Sequence, residues 1–300
     1  MKNTSRTIIF FGNERLVSGL ESTDTPILRG LIEQGYSIAA VVSHHSETSS
    51  RKKRPLEVAD IANAHNIPIL LPDRPIDIYD QLVSFGAEAA VLSAYGRIIP
   101  QKVIDIFPKG IINIHPSLLP LHRGPTPIES AIAKGEAETG VSIMQLSAKM
   151  DAGPIYGQVS LSLEGTETKF ELYESLSGIG SELLLSLLPG ILDGSTTPKP
   201  QDDSRATYDN ILSKSDAWLD FSALSAIEAE RLVRAYLVFP KTKARIFEQD
   251  IIITKAHVSE EKITALDIEC SQGILSIDRL IGPSGREMSA KDFLNGYAAS

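Results

Sequence analysis

From Thr7 to His115 the chain alternates short apolar runs with amphipathic ones, and this alternation limits its fold more than any other feature. "TIIFFG" (7–12), "YSIAAVVS" (36–43), "IPILL" (67–71), "AEAAVLSAYG" (87–96) and "GIINIH" (110–115) read as strands. Between them, "TPILRGLIEQG" (25–35), "RPLEVADIANAHN" (54–66), "IDIYDQLVSFG" (76–86) and "QKVIDIF" (101–107) carry apolar residues at helical spacing. The first of these has a threonine N-cap, a proline at the first helical position and a glycine stop. Nearly continuous apolar strands separated by helices predict a parallel sheet covered on both faces, an α/β, Rossmann-like domain. Ligands bind such sheets beyond the carboxyl ends of the strands.

"INIHPSLLP" (112–120) lies at one of those ends. In extended chain, Asn113 and His115 share one face, while Ile112 and Ile114 point to the other. Ser117 follows two residues later and Pro120 stops the run. The sequence then predicts a helix over 126–135, strands over 139–146 and 153–163, and a long helix from about Thr168 to Leu188, broken by Pro189 and Gly190. A Pro-, Gly-, Ser- and Asp-rich stretch follows. The expected division is a catalytic domain over 1–188, a linker over 189–206 and a small β-rich domain, an OB-like barrel, over 207–300. This last part holds one helix in "SALSAIEAERLVRAY", several short strand-like runs and a final capped helix in "SAKDFLNGY".

Composition narrows the class. With 42% hydrophobic and 22% charged residues, 300 residues can bury a sizeable core. The single cysteine, Cys270, excludes an intramolecular disulfide framework and fits a reducing compartment. The apolar run near the start is too short for a signal peptide, and no stretch has the length of a membrane span, so a cytoplasmic location is expected. A net charge of −9 argues against an extended, passive nucleic-acid surface but leaves room for a local basic patch. The densest is "RKKR" (51–54); the region from Ala206 onward carries 11 cationic and 14 acidic residues and is itself net acidic.

Several chemistries lack their signatures. There is no G-x-G-x-x-G after the first strand, no phosphate-binding P-loop, no G-x-S-x-G elbow and no HExxH. His44 and His45 are adjacent and point apart, so no metal site is expected there. What remains is Asn113, His115 and an acid on a separate loop, Asp151 in "SAKMDAGP". An imidazole moves protons near neutral pH, an amide donates to a developing oxyanion, and a carboxylate fixes or stabilises the imidazole. The trio suits attack by an amine or water on a carbonyl without a covalent intermediate. Ser117 as nucleophile, or a core histidine satisfied by a carbonyl, are the competing interpretations.

The run from Ile112 to Gln158, with N-I-H-P-S-L-L-P, RG-x-x-P-I, ETGVSIMQ and MDAGP, resembles the formyltransferases that use 10-formyltetrahydrofolate. The combination is most similar to the branch whose acceptor is initiator methionyl-tRNA, and "RLVRAYLVFP" and "MSAKDFLNGY" resemble the carboxyl-terminal domain of that branch. The resemblance implies formyl transfer to the α-amino group of methionyl initiator tRNA, with Asn113, His115 and Asp151 catalytic. It places Ser117, Leu118, Leu119, Pro120, Tyr95 and Gly96 on the folate, and Arg51, Lys52, Lys53 and Arg54 on the tRNA. It implies 10-formyltetrahydrofolate as co-substrate, no metal, no membrane partner and a monomer. A nucleotide-linked amino sugar or other small amine as acceptor, water as acceptor, and a non-catalytic RNA- or folate-binding module are the alternatives. After the first strand, "GNERLVSGLESTDTP" departs from the family's usual G-T-P-x-F.

Overall fold

The computed structural model describes residues 6–12, 26–44 and 57–297. In chain order the elements are β1 (Thr7–Gly12), α1 (Pro26–Glu33), β2 (Ser37–Val42), α2 (Glu57–Ala64), β3 (Ile69–Leu70), α3 (Tyr79–Ser84), β4 (Ala89–Ser93), α4 (Gln101–Ile104), β5 (Ile111–His115), α5 (Pro127–Lys134), β6 (Glu138–Gln145), β7 (Ile155–Ser162), α6 (Lys169–Asp193), α7 (Ala226–Ala235), β8 (Lys243–Ile246), β9 (Gln249–Ser259), β10 (Asp267–Glu269), β11 (Ile274–Ile281), β12 (Glu287–Ser289) and α8 (Ala290–Tyr297). They form two compact units. The first contains the chain up to Pro125, Thr139–Leu161 and Glu174–Asp209; the second contains Thr126–Glu138, Ser162–Tyr173 and the chain from Asn210 onward.

The first unit is built on a seven-stranded sheet of order β3-β2-β1-β4-β5-β6-β7. The first five of these strands pair in parallel, as the alternating pattern predicts, but β6 runs antiparallel to β5, so the sheet is mixed. The physical reason is the connection: a parallel neighbour to β6 needs a crossover packed on the same sheet, and α5 between β5 and β6 packs elsewhere, within the second unit. One face of the sheet buries Ile9, Phe11, Val42, Ala90, Leu92 and Ile111 with Leu82 of α3 and Val103 and Ile104 of α4. The opposite face, carrying Ile114 and Val141, meets α6.

This helix was expected to stop before Pro189, yet it runs on to Asp193. Proline removes one helical hydrogen bond and crowds the preceding turn, at a cost of about 3 kcal/mol. Burial of Leu188, Ile191 and Leu192 on either side of it outweighs that loss. By length and composition α6 is apolar enough to cross a membrane. Its apolar stripe of Leu176, Leu184, Leu188, Ile191 and Leu192 is instead spent on the protein core. Gly180 lies in the middle of that stripe, where an added Cβ would sit 3.1 Å from a Val141 methyl and 3.3 Å from an Ile114 methyl. Gly180→Leu is therefore expected to lower unfolding free energy by about 1–3 kcal/mol through overpacking. A urea titration followed by far-UV circular dichroism checks it; an unchanged midpoint means that α6 does not press on the back of β5.

The second unit is an antiparallel sheet of order β10-β11-β9-β8, with β12 also paired to β11. Ala229 and Val233 of α7, Ile251 and Ile253 of β9, Leu275, Ile277 and Leu280 of β11, and Phe293 of α8 form its core. Register shifts between Ile277 and Leu280 bend the β9–β11 pair. Among the described residues β8 and β10 end this strand order, β8 meeting Trp218 only through an isolated bridge at Lys243, and the antiparallel sheet curls into a half-barrel, as the β-rich tail predicts. Helix α7 starts at a capping box in which Ser225 and Glu228 satisfy each other's backbone N–H. Within this unit α5 packs on α7, and Lys169 forms a 2.5 Å ion pair with Glu129.

Candidate active site

Strand β5 carries the apolar core up to Ile111 and then changes character on the same face. Its next two positions on that face are Asn113 and His115, opposite Met144 and Ser142 of β6. Both side chains are largely buried, at 6% and 5% exposure. The i, i+2 spacing thus places an amide and an imidazole in register past the end of the hydrophobic cluster, as the sequence predicts. Among the described residues the Asn113 side chain makes no hydrogen bond, so its amide is available to a ligand.

The imidazole is held on two sides. His115 Nε2 lies 2.9 Å from the backbone oxygen of His122, an acceptor that can only receive, so Nε2 carries a proton. The other nitrogen, Nδ1, faces Oδ1 of Asp151 at 3.8 Å. Asp151 sits in the turn between β6 and β7 with a left-handed φ of 46°. Its second oxygen accepts a 2.8 Å hydrogen bond from the Gly124 N–H. Gly153 closes the same turn, where a Cβ would collide with the Gln145 carbonyl oxygen. Thus three segments, β5, the loop after it and the β6–β7 turn, bring together Asn113, His115 and Asp151.

Ser117 is placed unlike a nucleophile. Its hydroxyl donates to the Leu121 carbonyl at 2.7 Å, and its own carbonyl accepts from Ser142 Oγ at 2.6 Å. Ser142 Oγ also accepts from the Leu119 N–H, and Gln158 Nε2 donates both to it and to the Leu119 carbonyl. This network fixes the backbone of Ser117, Leu118, Leu119 and Pro120 immediately beside the histidine. Ser117 and Leu119 are buried, whereas Leu118 and Pro120 are partly exposed. Tyr95 and Gly96 form the turn at the carboxyl end of β4, the neighbour of β5. Gly96 is exposed with φ 70°, but Tyr95 points into the core, edge-on to Phe11 at 5.4 Å. Burial pushes the Tyr95 phenol up to about 12, so it stays protonated at any working pH. What this turn offers a ligand is therefore backbone. Its carbonyl at Tyr95 already meets His44 Nε2 at 2.8 Å.

The basic run Arg51, Lys52, Lys53 and Arg54, and the altered segment after β1, lie outside the described residues. Among the described residues no group of three or more His, Cys, Asp or Glu side chains could hold a metal ion.

Other side chains around the site gave no signal in the sequence. Arg123 is only 1% exposed. Its guanidinium donates to Gln201 Oε1, to Asp203 at 2.6 Å and to the Tyr208 hydroxyl at 3.0 Å. Burial works against its charge, but the bonds to Asp203 and Tyr208 hold its pKa above the usual guanidinium value. Gln201 in turn donates to the carbonyls of Asp151 and Gly153, both at 2.7 Å, clamping the turn that carries the carboxylate. The stretch 199–209 also bonds through its backbone: Lys199 exchanges hydrogen bonds with Ile155, and Thr207 and Asp209 bond to Pro120 and Arg123. These partners lie 44 to 87 positions apart in sequence, and nothing local pairs them. The density of Asp and Gln in "KPQDDSRATYD" was the only available hint.

Residues 15–188 match the family model described as formyl transferase, and residues 211–298 match that of the formyl transferase C-terminal domain. The methionyl-tRNA formyltransferase of Chloroflexus aurantiacus is 40% identical over 248 residues, covering 81% of this chain and 80% of the relative. That of Methylococcus capsulatus is 34% identical over 296 residues, covering 94% and 96%. Among solved structures, an N-formyltransferase from Helicobacter canadensis in complex with folinic acid and dTDP-3-aminofucose superposes with a TM-score of 0.68 at 16% identity, covering 91% of this chain and 98% of its own. HypX from Aquifex aeolicus in complex with tetrahydrofolic acid gives 0.68 at 17%, covering 97% and 47%. These two likenesses establish the fold, and the sequence relatives establish the lineage. The chain is an enzyme that belongs to the formyl transferase family, on the branch of the methionyl-tRNA formyltransferases.

Proposed function

We propose that the chain transfers the formyl group of 10-formyltetrahydrofolate to the α-amino group of methionyl initiator tRNA, with Asn113, His115 and Asp151 as its catalytic residues. The observation that carries this reading is the convergence of an unbonded amide, an imidazole and a carboxylate at the end of β5. In the reaction the amine nitrogen bonds to the formyl carbon, the bond from that carbon to N10 breaks, and one proton passes from the amine to N10. Asn113 donates its amide N–H to the oxyanion of the tetrahedral intermediate, and the positive charge of protonated His115 stabilises it further. Because Nε2 is committed to a carbonyl, His115 gains and loses its second proton at Nδ1. Asp151 faces that nitrogen, stabilises the cation and assists proton transfer. The backbone of Ser117 to Pro120 and the turn at Tyr95 and Gly96 line the folate pocket.

The test is formylation itself. Purified chain is incubated with 10-formyltetrahydrofolate and either methionyl initiator tRNA or candidate amino sugars. Formyl-methionyl-tRNA is the expected product. Formylation of an amino sugar under conditions where the tRNA is untouched overturns the acceptor, and formate release without any formylated amine points to water.

Arg51, Lys52, Lys53 and Arg54 are proposed to meet the tRNA backbone. Replacing all four with alanine is expected to weaken tRNA binding and reduce the slope of log affinity against log salt by about three to four, close to one per lost phosphate contact. Fluorescence anisotropy at several salt concentrations measures it; an unchanged slope removes the run from the interface. A cytoplasmic location accords with this substrate.

A further inference from the structure

We propose that His122, held by Asp209, is a positioning residue that locks the tautomer of His115. The inference rests on the reading of His115 as catalytic. His122 is a buried residue in the loop after β5 and adopts a left-handed φ of 59°, a conformation that non-glycine side chains rarely occupy. Hydrogen bonds from its ring and from its backbone help to hold it there. Its Nδ1 meets Asp209 Oδ2 at 2.9 Å, with both side chains almost wholly buried, and its backbone N–H donates to Thr207 Oγ1 at 2.8 Å. The consequence of this twist is the direction of the His122 carbonyl, which receives the Nε2 proton of His115 at 2.9 Å.

A neutral imidazole carries one proton, and the bond at one nitrogen decides where it sits. With Nε2 protonated, the lone pair lies on Nδ1, the nitrogen facing Asp151. Were the His122 carbonyl to turn away, the Nδ1–H tautomer would gain, donating toward the carboxylate, and the second proton would have to be gained and lost at Nε2, away from Asp151. The next residues on this loop serve the other partner: Gly124 N–H fixes Asp151 Oδ2. Gly124 itself has a φ of 121°, and a Cβ there would strike the carbonyl oxygen of Asp209. Asp209 therefore braces the loop at both His122 and Gly124, and the loop sets the histidine and the aspartate together.

The experiment is two-bond ¹H–¹⁵N correlation spectroscopy of the full chain, with the His115 ring assigned by its loss in His115→Ala. In the wild-type protein neutral His115 is expected almost wholly as the Nε2–H tautomer. In His122→Ala the Nδ1–H tautomer is expected to reach a comparable population. Turnover is expected to fall roughly 10- to 100-fold, the scale of a misplaced catalytic group. KM for folate and for tRNA is expected to stay within about twofold, since no substrate contact is removed. His122→Asn is expected to restore both signals, because asparagine tolerates the left-handed backbone and its amide can donate to Asp209. An unchanged tautomer in folded His122→Ala overturns the proposal while leaving His115 catalytic. Near wild-type turnover in His115→Ala overturns the catalytic reading instead. If His122→Ala does not fold, Asp209→Ala, which removes the acceptor of His122 Nδ1, makes the same comparison, and an unchanged tautomer ratio there overturns the proposal equally.

Discussion

Replacing His115 with alanine is expected to lower kcat by about two to four orders of magnitude, the usual contribution of a positioned general acid–base. KM for 10-formyltetrahydrofolate is expected to change little, because the folate contacts proposed here come from the backbone of Ser117 to Pro120, which Ser142 and Gln158 hold independently of the imidazole. The fold should survive. The substitution leaves the His122 carbonyl without its partner, costing about 1–3 kcal/mol for an unsatisfied buried group, a loss a domain of this size can bear. Stopped assays under saturating substrates, alongside a thermal melt, separate the two effects. A folded variant with near wild-type turnover would show that His115 is only a satisfied core histidine, the interpretation its carbonyl bond taken alone would favour.

That ambiguity shows where the sequence was informative. The period-two pattern of "INIHPSLLP" gave the shared face of Asn113 and His115, because side-chain alternation is a property of any strand whatever its partners. The alternation of apolar and amphipathic runs gave the parallel strands, since each run reports its own burial. The antiparallel step from β5 to β6 was not legible: it depends on α5 packing within the other unit, and the helix's sequence does not say against what it packs. Nor was the run of α6 through Pro189, where burial of flanking leucines overrode a local breaker. The contacts of Arg123, Gln201 and Asp209 were hidden for the same reason. Each residue alone reads as a polar loop position, and only the folded chain brings 122–124, 151–153 and 201–209 into one hydrogen-bonded assembly.

The sharpest test of the division of labour within the site is Asp151→Asn. Asparagine keeps an oxygen able to accept from the Gly124 N–H, and it tolerates the left-handed φ of 46° better than most residues. The carbonyl of residue 151 would still receive Gln201, so the turn keeps its shape. What disappears is the negative charge 3.8 Å from Nδ1. If Asp151 acts by stabilising the cation and assisting the proton, kcat should fall by about two orders of magnitude or more with binding of both substrates preserved. If it is only a turn former, the variant should be close to wild type, because every structural bond it makes has been kept. Pre-steady-state formylation with saturating tRNA reads the chemical step directly. A variant that loses tRNA affinity while keeping its single-turnover rate would move Asp151 out of the chemistry and into acceptor binding.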